Sequence, residues 1–332
     1  MSAYDYELPE EAIAQVPVEP RDRSRLLVAL DPGGAVEHRR VADLPELLEP
    51  GDLLVVNETR VLPARLRLRK RTGGAVEVLL LEPEGDGWWQ ALVRPGRRVP
   101  AGTVLDAGPG LSVEVEEAIE DGRRRVRLRT ADGADAALAA HGAVPLPPYI
   151  RTPLADPERY QTVYAAAPGS VAAPTAGLHL TEAVLDGCRS RGVEVAAVDL
   201  AVGLDTFRPV TAERAEDHRM HSERYRVPAG TLAACQRARR VVAVGTTTTR
   251  ALESAASGAL EGRTSLFIHG EHRFRLVDVL LTNFHLPRST LLLLVASFAG
   301  ERWRDLYACA LADGYRFLSF GDAMLVARKQ AL

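Results

Sequence analysis

Apolar residues arrive in two rhythms along this chain. Between about residues 65 and 144 they alternate with polar ones, in "AVEVLLLEP", "WWQALVRPG" and "LSVEVEEAIEDGRRRVRLRT", and glycine turns separate the runs. Period-two alternation broken by short turns predicts antiparallel hairpins, hence a small all-β module. Pro63 on one side and "PLPPYI" (Pro145–Ile150) on the other bracket that module with stiffened linkers. Elsewhere, strand-length apolar runs alternate with helix-length segments. "DLLVVN" (Asp52–Asn57), "VEVAAVDLAVG", "RRVVAVG" and "VDVLLTN" read as strands. "GLHLTEAVLDGCRSRG", "TTTTRALESAA" and "STLLLLVASFAG" read as helices. Thr181 caps the first and Gly192 stops it; Ser289 or Thr290 caps the last. "YRFLSFGDAMLV" predicts a closing β pair. Strand–helix repetition predicts a largely parallel sheet or barrel covered on both faces. The expected organisation is an α/β core in two parts, residues 1–63 and 146–332, with a small antiparallel β domain inserted at 64–145.

Polar residues that interrupt the apolar runs matter most where strands end, because ligands gather there in parallel α/β folds. In "LLTNFHLPRSTLLLLV" a buried run breaks at Thr282-Asn283-Phe284-His285 and resumes after Arg288. Such a knot suits a ligand-facing loop carrying Asn283, His285 and Arg288. "VAVGTTTTR" places Thr246, Thr247, Thr248 and Thr249 at a helix start, where hydroxyls and free N–H groups cradle an anion; Arg250 adds a cationic donor. "PTAGLH" offers Thr175, a permissive Gly177 and His179. "EDHRMHSE" carries Asp217, His218 and His221. Two histidines at i, i+3 admit a metal pair, but no third ligand and no HExxH order accompany them, so a substrate-facing loop is the better reading and no metal is assigned.

Charge then changes the picture of the β module. The whole chain has a formal net charge of -3, so it is no polycation. Between Arg65 and Arg129, however, 13 basic residues face ten acidic ones. Arg65, Arg67, Arg69 and Arg71 would line one side of a strand, and Arg123 and Arg125 cluster in "GRRRVRLR". This suits a phosphate backbone, or equally an edge strand protected by charge. Cys188, Cys235 and Cys309 are isolated, odd in number and form no CxxC pair, so neither a disulfide framework nor a cysteine-zinc site is indicated. The acidic "MSAYDYELPEEAIAQ" is no secretory leader, and the longest apolar run, Leu291–Ala299, is too short for a membrane span. A reduced, cytoplasmic compartment is expected. No GxGxxG, P-loop or GxSxG elbow is present.

"YDYELPEEAIAQVPVEPRDRSRLL", "GDLLVVNETRVLPARL", "RYQTVYAAAPGSVAAPTAGLHLT", "VGLDTFRPV", "DHRMHSE", "VVAVGTTTTRALES", "LVDVLLTNFHLPRST" and "YRFLSFGDAML" occur in this order. Together the chain resembles the S-adenosylmethionine:tRNA ribosyltransferase-isomerase family over nearly its full length. The resemblance implies a barrel-like α/β core with an inserted β-barrel. It implies transfer and isomerisation of the ribosyl part of S-adenosylmethionine onto 7-aminomethyl-7-deazaguanine at the tRNA wobble position, releasing adenine and methionine. S-adenosylmethionine is then a substrate, no cofactor is required, tRNA is the partner, and a monomer is expected. On this reading His179 and His285 handle protons or orient substrate, and the threonine turn holds the methionine carboxylate. Three stretches depart from the family pattern. Ala201 stands where a histidine is expected and Asp205 where a glycine is; Leu180 replaces an aromatic; "HGE" (His269–Glu271) replaces "YPG". These departures keep open a paralogue with another acceptor and a non-catalytic tRNA-binding descendant.

Overall fold

The computed structural model describes residues 1–31, 33–203, 210 and 212–329. The chain opens with β1 (Arg25–Ala29), β2 (Glu37–Arg40), a one-turn helix α1 (Leu44–Leu47), β3 (Leu53–Asn57) and β4 (Thr59–Val61). The next seven strands are β5 (Arg65–Lys70), β6 (Ala75–Gly85), β7 (Trp88–Arg94), β8 (Thr103–Gly108), β9 (Leu111–Ala118), β10 (Arg124–Arg129) and β11 (Gly142–Ala143), with helix α2 (Ala134–His141) before the last. After β12 (Ala167–Ser170) come α3 (Glu182–Ser190), β13 (Glu194–Leu200), β14 (Glu223–Arg226), α4 (Ala229–Arg237), β15 (Val241–Val244), α5 (Thr246–Ala255) and β16 (Glu261–Thr264). The chain closes with β17 (Val279–Asn283), α6 (Thr290–Ala299), α7 (Trp303–Ala312) and β18 (Ala323–Ala327).

Two compact units result. One comprises Met1–Arg60, Pro147–Ala167 and Ala173–Leu332; the other comprises Val61–Leu146 and Pro168–Ala172. In the first, nine strands form a mixed α/β sheet in the order β16-β14-β13-β3-β15-β17-β18-β1-β2. Parallel pairing joins β13, β3, β15 and β17, and separately β1 and β18. The other four pairings are antiparallel, so the sheet is mixed rather than largely parallel. β3, β15 and β17 are buried on both faces and read as unbroken apolar runs for that reason. Leu26, Val28, Leu54, Val56, Leu281 and Leu325 pack with Val184 and Leu185 of α3. Thr181 caps α3 by accepting the Val184 N–H, and Ser289 caps α6 by accepting the Leu292 N–H at 3.2 Å. The expected closing β pair is a single strand, β18. Its first half is a turn through Leu318 at φ 70, tied by one bridge from Phe317 to Ile13.

In the second unit, strands run β5-β6-β7-β10-β9-β8, and β8 pairs back onto β5. This closes a six-stranded antiparallel barrel, with β11 added beside β5. The alternation seen in the sequence is inside against outside: Leu66 and Leu68 are buried, whereas Arg67 and Arg69 are exposed. Val76, Val78, Val113, Val115 and Val126 complete the filled interior.

Candidate active site

Four parallel strands end at one edge of the large sheet, and chemistry collects where they stop. β3 ends on Asn57, β13 leads to Val202, β15 gives way to Gly245 and α5, and β17 ends on Asn283. Two small adjoining hollows, open to solvent, lie here. Thr175, Asn283, His285 and Leu291 line both. Thr246, Thr247, Gly245 and Val202 close one; Tyr149, Ser289 and Ser319 close the other.

Asn283 is the hub. Its Nδ2 donates to His179 Nε2 at 2.9 Å and to the Leu318 carbonyl at 3.2 Å, and its Oδ1 accepts from Thr175 Oγ1 at 2.9 Å. A carbonyl partner on the nitrogen side and a hydroxyl on the oxygen side fix the amide orientation. His179 Nε2 must therefore accept, so Nδ1 carries the proton and donates to Ser24 Oγ at 3.0 Å. Both ring nitrogens of His179 are satisfied, and the ring lines neither hollow. It props Asn283 from behind rather than facing a ligand, which revises the paired role expected for the two histidines. Burial, aided by Arg316, Arg159 and Arg21, lowers the His179 pKa to about 3.

His285 does face the hollows. Its Nε2 pairs with Thr282 Oγ1 at 2.9 Å, and Nδ1 has no partner among the described residues. Its backbone is pinned as well: the N–H donates to Tyr307 Oη at 3.0 Å, and the carbonyl accepts from Tyr6 Oη. Burial alone lowers its pKa to about 3, so it too is a neutral imidazole near pH 7.

The threonine run divides. Thr248 and Thr249 return their hydroxyls to the Val244 and Gly245 carbonyls, at 2.6 and 3.2 Å. This is back-bonding within a helix, and it removes both from any cradle. Thr246 and Thr247 remain on the hollow, with Thr247 Oγ1 held by Asn57 Nδ2 at 3.3 Å. Gly245 precedes them at φ 90, a left-handed conformation that suits glycine. The first-turn N–H groups of α5 lack intrahelical partners and carry the positive end of its dipole. Arg250 lines neither hollow: it is buried in an ion pair with Glu223, and its Nε donates to the Leu266 carbonyl at 3.0 Å. Gly177 is needed for close approach, but the visitor is protein: a Cβ there would meet Tyr164 Oη at 2.0 Å.

Asp217, His218 and His221 line neither hollow; Asp217 is exposed, and the His218 ring meets Phe267 edge-on at 5.3 Å. Arg288 also stays outside, its φ of 55 marking the turn into α6. Ala201 offers the site no imidazole; its N–H donates to the Arg224 carbonyl. Asp205 lies outside the described residues. Ser24, Asn57, Thr282, Tyr149 and Ser319 were not expected in the site. Only Thr282 had a signal, as part of the polar knot; the others are brought in by pairing across the sequence.

In the barrel, Arg67, Arg69 and Arg71 are exposed and make no ion pair among the described residues. Arg65 sits 4.0 Å from Glu77. Arg125 pairs with Glu84 at 2.8 Å and lies over the Trp88 ring, while Arg123 donates to Gln90 at 3.2 Å. Part of the expected basic face is thus neutralised within the barrel.

Comparison with known proteins follows this division. A family described as queuosine biosynthesis protein matches residues 1–326. The chain is 52% identical to the S-adenosylmethionine:tRNA ribosyltransferase-isomerase of Heliobacterium modesticaldum, covering 98% of this chain and 99% of that one. It is 54% identical to the protein of the same name from an Anaeromyxobacter species, covering 99% of each. The crystal structure of S-adenosylmethionine tRNA ribosyltransferase from Thermotoga maritima matches with a TM-score of 0.56 at 40% identity, over 98% of this chain and 99% of that one. Since core, inserted barrel and strand-end residues all fall inside these full-length matches, the chain belongs to the queuosine biosynthesis family of S-adenosylmethionine:tRNA ribosyltransferase-isomerases.

Proposed function

We propose that this chain is an S-adenosylmethionine:tRNA ribosyltransferase-isomerase. It moves the ribosyl part of S-adenosylmethionine onto 7-aminomethyl-7-deazaguanine at the tRNA wobble position, rearranges it to the epoxide of epoxyqueuosine, and releases adenine and methionine. It acts in the cytoplasm, as a monomer, without a cofactor. No helix among the described residues is long and apolar enough to cross a membrane.

One observation carries the reading: a neutral imidazole and a helix N-terminus share a hollow. Thr246 and Thr247, with the free N–H groups of α5, suit the methionine carboxylate. The sulfonium is a fixed cation, and an imidazolium beside it would repel it. Burial keeps His285 neutral, so cation and ring can meet. The sulfonium acidifies the C5′ hydrogens. His285 Nδ1, left over by Thr282, then takes or orients the proton. Adenine leaves, the tRNA amine attacks the sugar, and the sulfur departs as methionine. Asn283, locked by His179, Thr175 and Leu318, supplies a fixed polar wall. The exposed Arg67, Arg69 and Arg71 serve the phosphate backbone.

The test is incubation with S-adenosylmethionine and tRNA bearing the aminomethyl-deazaguanine. Adenine release that requires that tRNA is expected. Release with a small amine acceptor alone would assign a paralogue, and tight tRNA binding without release would assign a non-catalytic descendant.

A further inference from the structure

Outside the strand-end site, the two ends of α7 reach the edge strand β2 and the loop before it. Before the helix begins, Arg302 donates to the backbone carbonyls of Asp31 and Gly34, in the loop leading to β2. At its other end, three side chains with metal-binding donors converge. These are His38 of β2, Cys309 of the last turn of α7, and Asp313 at its C-cap. Their ligand atoms all lie within 4.8 Å of one another. Asp313 Oδ2 is 3.4 Å from His38 Nε2 and 3.4 Å from Cys309 Sγ.

Zinc–nitrogen, zinc–oxygen and zinc–sulfur bonds of about 2.0–2.3 Å at the tetrahedral angle put neighbouring donors roughly 3.3–3.6 Å apart. The two contacts to Asp313 already have that length. Cys309 and Asp313 are four residues apart, so the helix presents them on one face. His38 is exposed and can swing to close the remaining edge. Its other nitrogen is oriented: Nδ1 lies 2.8 Å from the hydroxyl of Tyr315, a buried side chain. With Nδ1–H donated to Tyr315, Nε2 presents a lone pair, as second-shell partners of metal-bound histidines arrange. The helix C-terminus adds negative potential. Arg25 is the nearby opposing charge; it binds the Asp313 backbone carbonyl at 2.7 Å and stacks on Tyr315, leaving the carboxylate oxygens to the cluster.

We propose that His38, Cys309 and Asp313 form a surface site for a borderline divalent transition ion such as Zn²⁺, which staples the edge strand β2 to the end of α7. Thiolate with imidazole selects zinc or cobalt over calcium or magnesium. On binding, the Cys309 thiol proton, now directed at Asp313, passes to solvent, and Asp313 Oδ2 turns from accepting that proton to ligating. The fourth position is left to water. The three positions are 38, 309 and 313, so no local spacing in the sequence announces the site.

The test uses the full-length protein stripped of metal and titrated with Co²⁺, which reports thiolate ligation by a near-ultraviolet charge-transfer band. One equivalent should produce the band, and Zn²⁺ should abolish it by displacement. Cys309→Ser should remove it, and His38→Gln should weaken binding at least tenfold. Cys235→Ser, at a buried cysteine of α4, should leave it unchanged. No band at one equivalent would overturn the site. So would a band that survives Cys309→Ser, or a titration that His38→Gln does not shift, which would reduce the site to a lone thiol. Circular dichroism of each variant separates loss of binding from loss of folding.

Discussion

The strand-end site and the arginine face of the barrel hold their polar groups in opposite ways. At the strand ends, Asn283 and His179 are buried and bonded to each other, as are Thr282 and His285, and their positions are over-determined. On the barrel, Arg67 and Arg69 are exposed, screened and interchangeable, and neighbours such as Arg125 are already paired with carboxylates. The difference teaches that the first region works by geometry and the second by accumulated charge. A buried hydrogen-bonded group cannot shift without leaving a partner unsatisfied. An exposed arginine can shift several ångströms and still contribute to a phosphate field.

Four outcomes would sharpen or break this contrast. The largest is expected from His285→Ala. Loss of a positioned proton-handling group should lower adenine-release turnover by about 10²–10⁴-fold at saturating substrates, with no dependence on salt. A loss confined to KM and relieved at low salt would instead place His285 with the charge-based region. Next, Asn283→Ala leaves His179 Nε2, the Thr175 hydroxyl and the Leu318 carbonyl unpaired. Each orphan costs roughly 1–3 kcal/mol, read as a fall in the urea midpoint; an unchanged midpoint would show that the amide is not a hub.

The third outcome is a dependence on pH. His179 and His285 have pKa values lowered from 6.5 to about 3 on folding. Above pH ~6.5 neither state binds the proton, and the stability from these sites is fully present. As pH falls below that, the unfolded chain takes protons the folded one refuses, and stability drops by up to about 1.4 kcal/mol per unit per histidine. Between pH 6.5 and 5 this is about 2 kcal/mol for each, and His179→Gln should roughly halve the slope. A stability flat over that window would mean that the imidazoles are not shielded from water. The smallest effect belongs to the barrel. Arg67→Ala or Arg69→Ala should each reduce the slope of log affinity against log salt for tRNA by at most about 0.9, and Arg125→Ala by less, since Glu84 and Trp88 already hold it. Equal effects from all three would erase the distinction between free and paired arginines.

The two regions were also unequally legible in the sequence. The polar knot after β17 stood out because Asn283 and His285 interrupt an otherwise apolar run, and such residues are expensive to bury without purpose. Ser289 and Thr181 were readable as caps because capping is local. The alternation of Leu66 and Leu68 with Arg67 and Arg69 gave the barrel strands directly. What escaped was long-range partnership. Glu223 neutralises Arg250 from 27 residues away, and Ser24 reaches His179 across 155. Tyr164 fills the space that Gly177 leaves, where a ligand had been expected. The division of the threonine run was the one miss with a local cause: the hydroxyls of Thr248 and Thr249 lie one turn from the carbonyls they bond.

The large sheet, unlike the barrel, has two ends, and what stands on one of them has a consequence for solubility. β2 reads Glu37-His38-Arg39-Arg40, and all four residues are exposed. A foreign strand laid against it would have to accommodate this row of ionic side chains, a poor trade for a few backbone hydrogen bonds. Crowded solutions should therefore find little purchase there for amyloid-like growth, and replacing this tetrapeptide with threonines and valines would be the quickest way to make the protein precipitate.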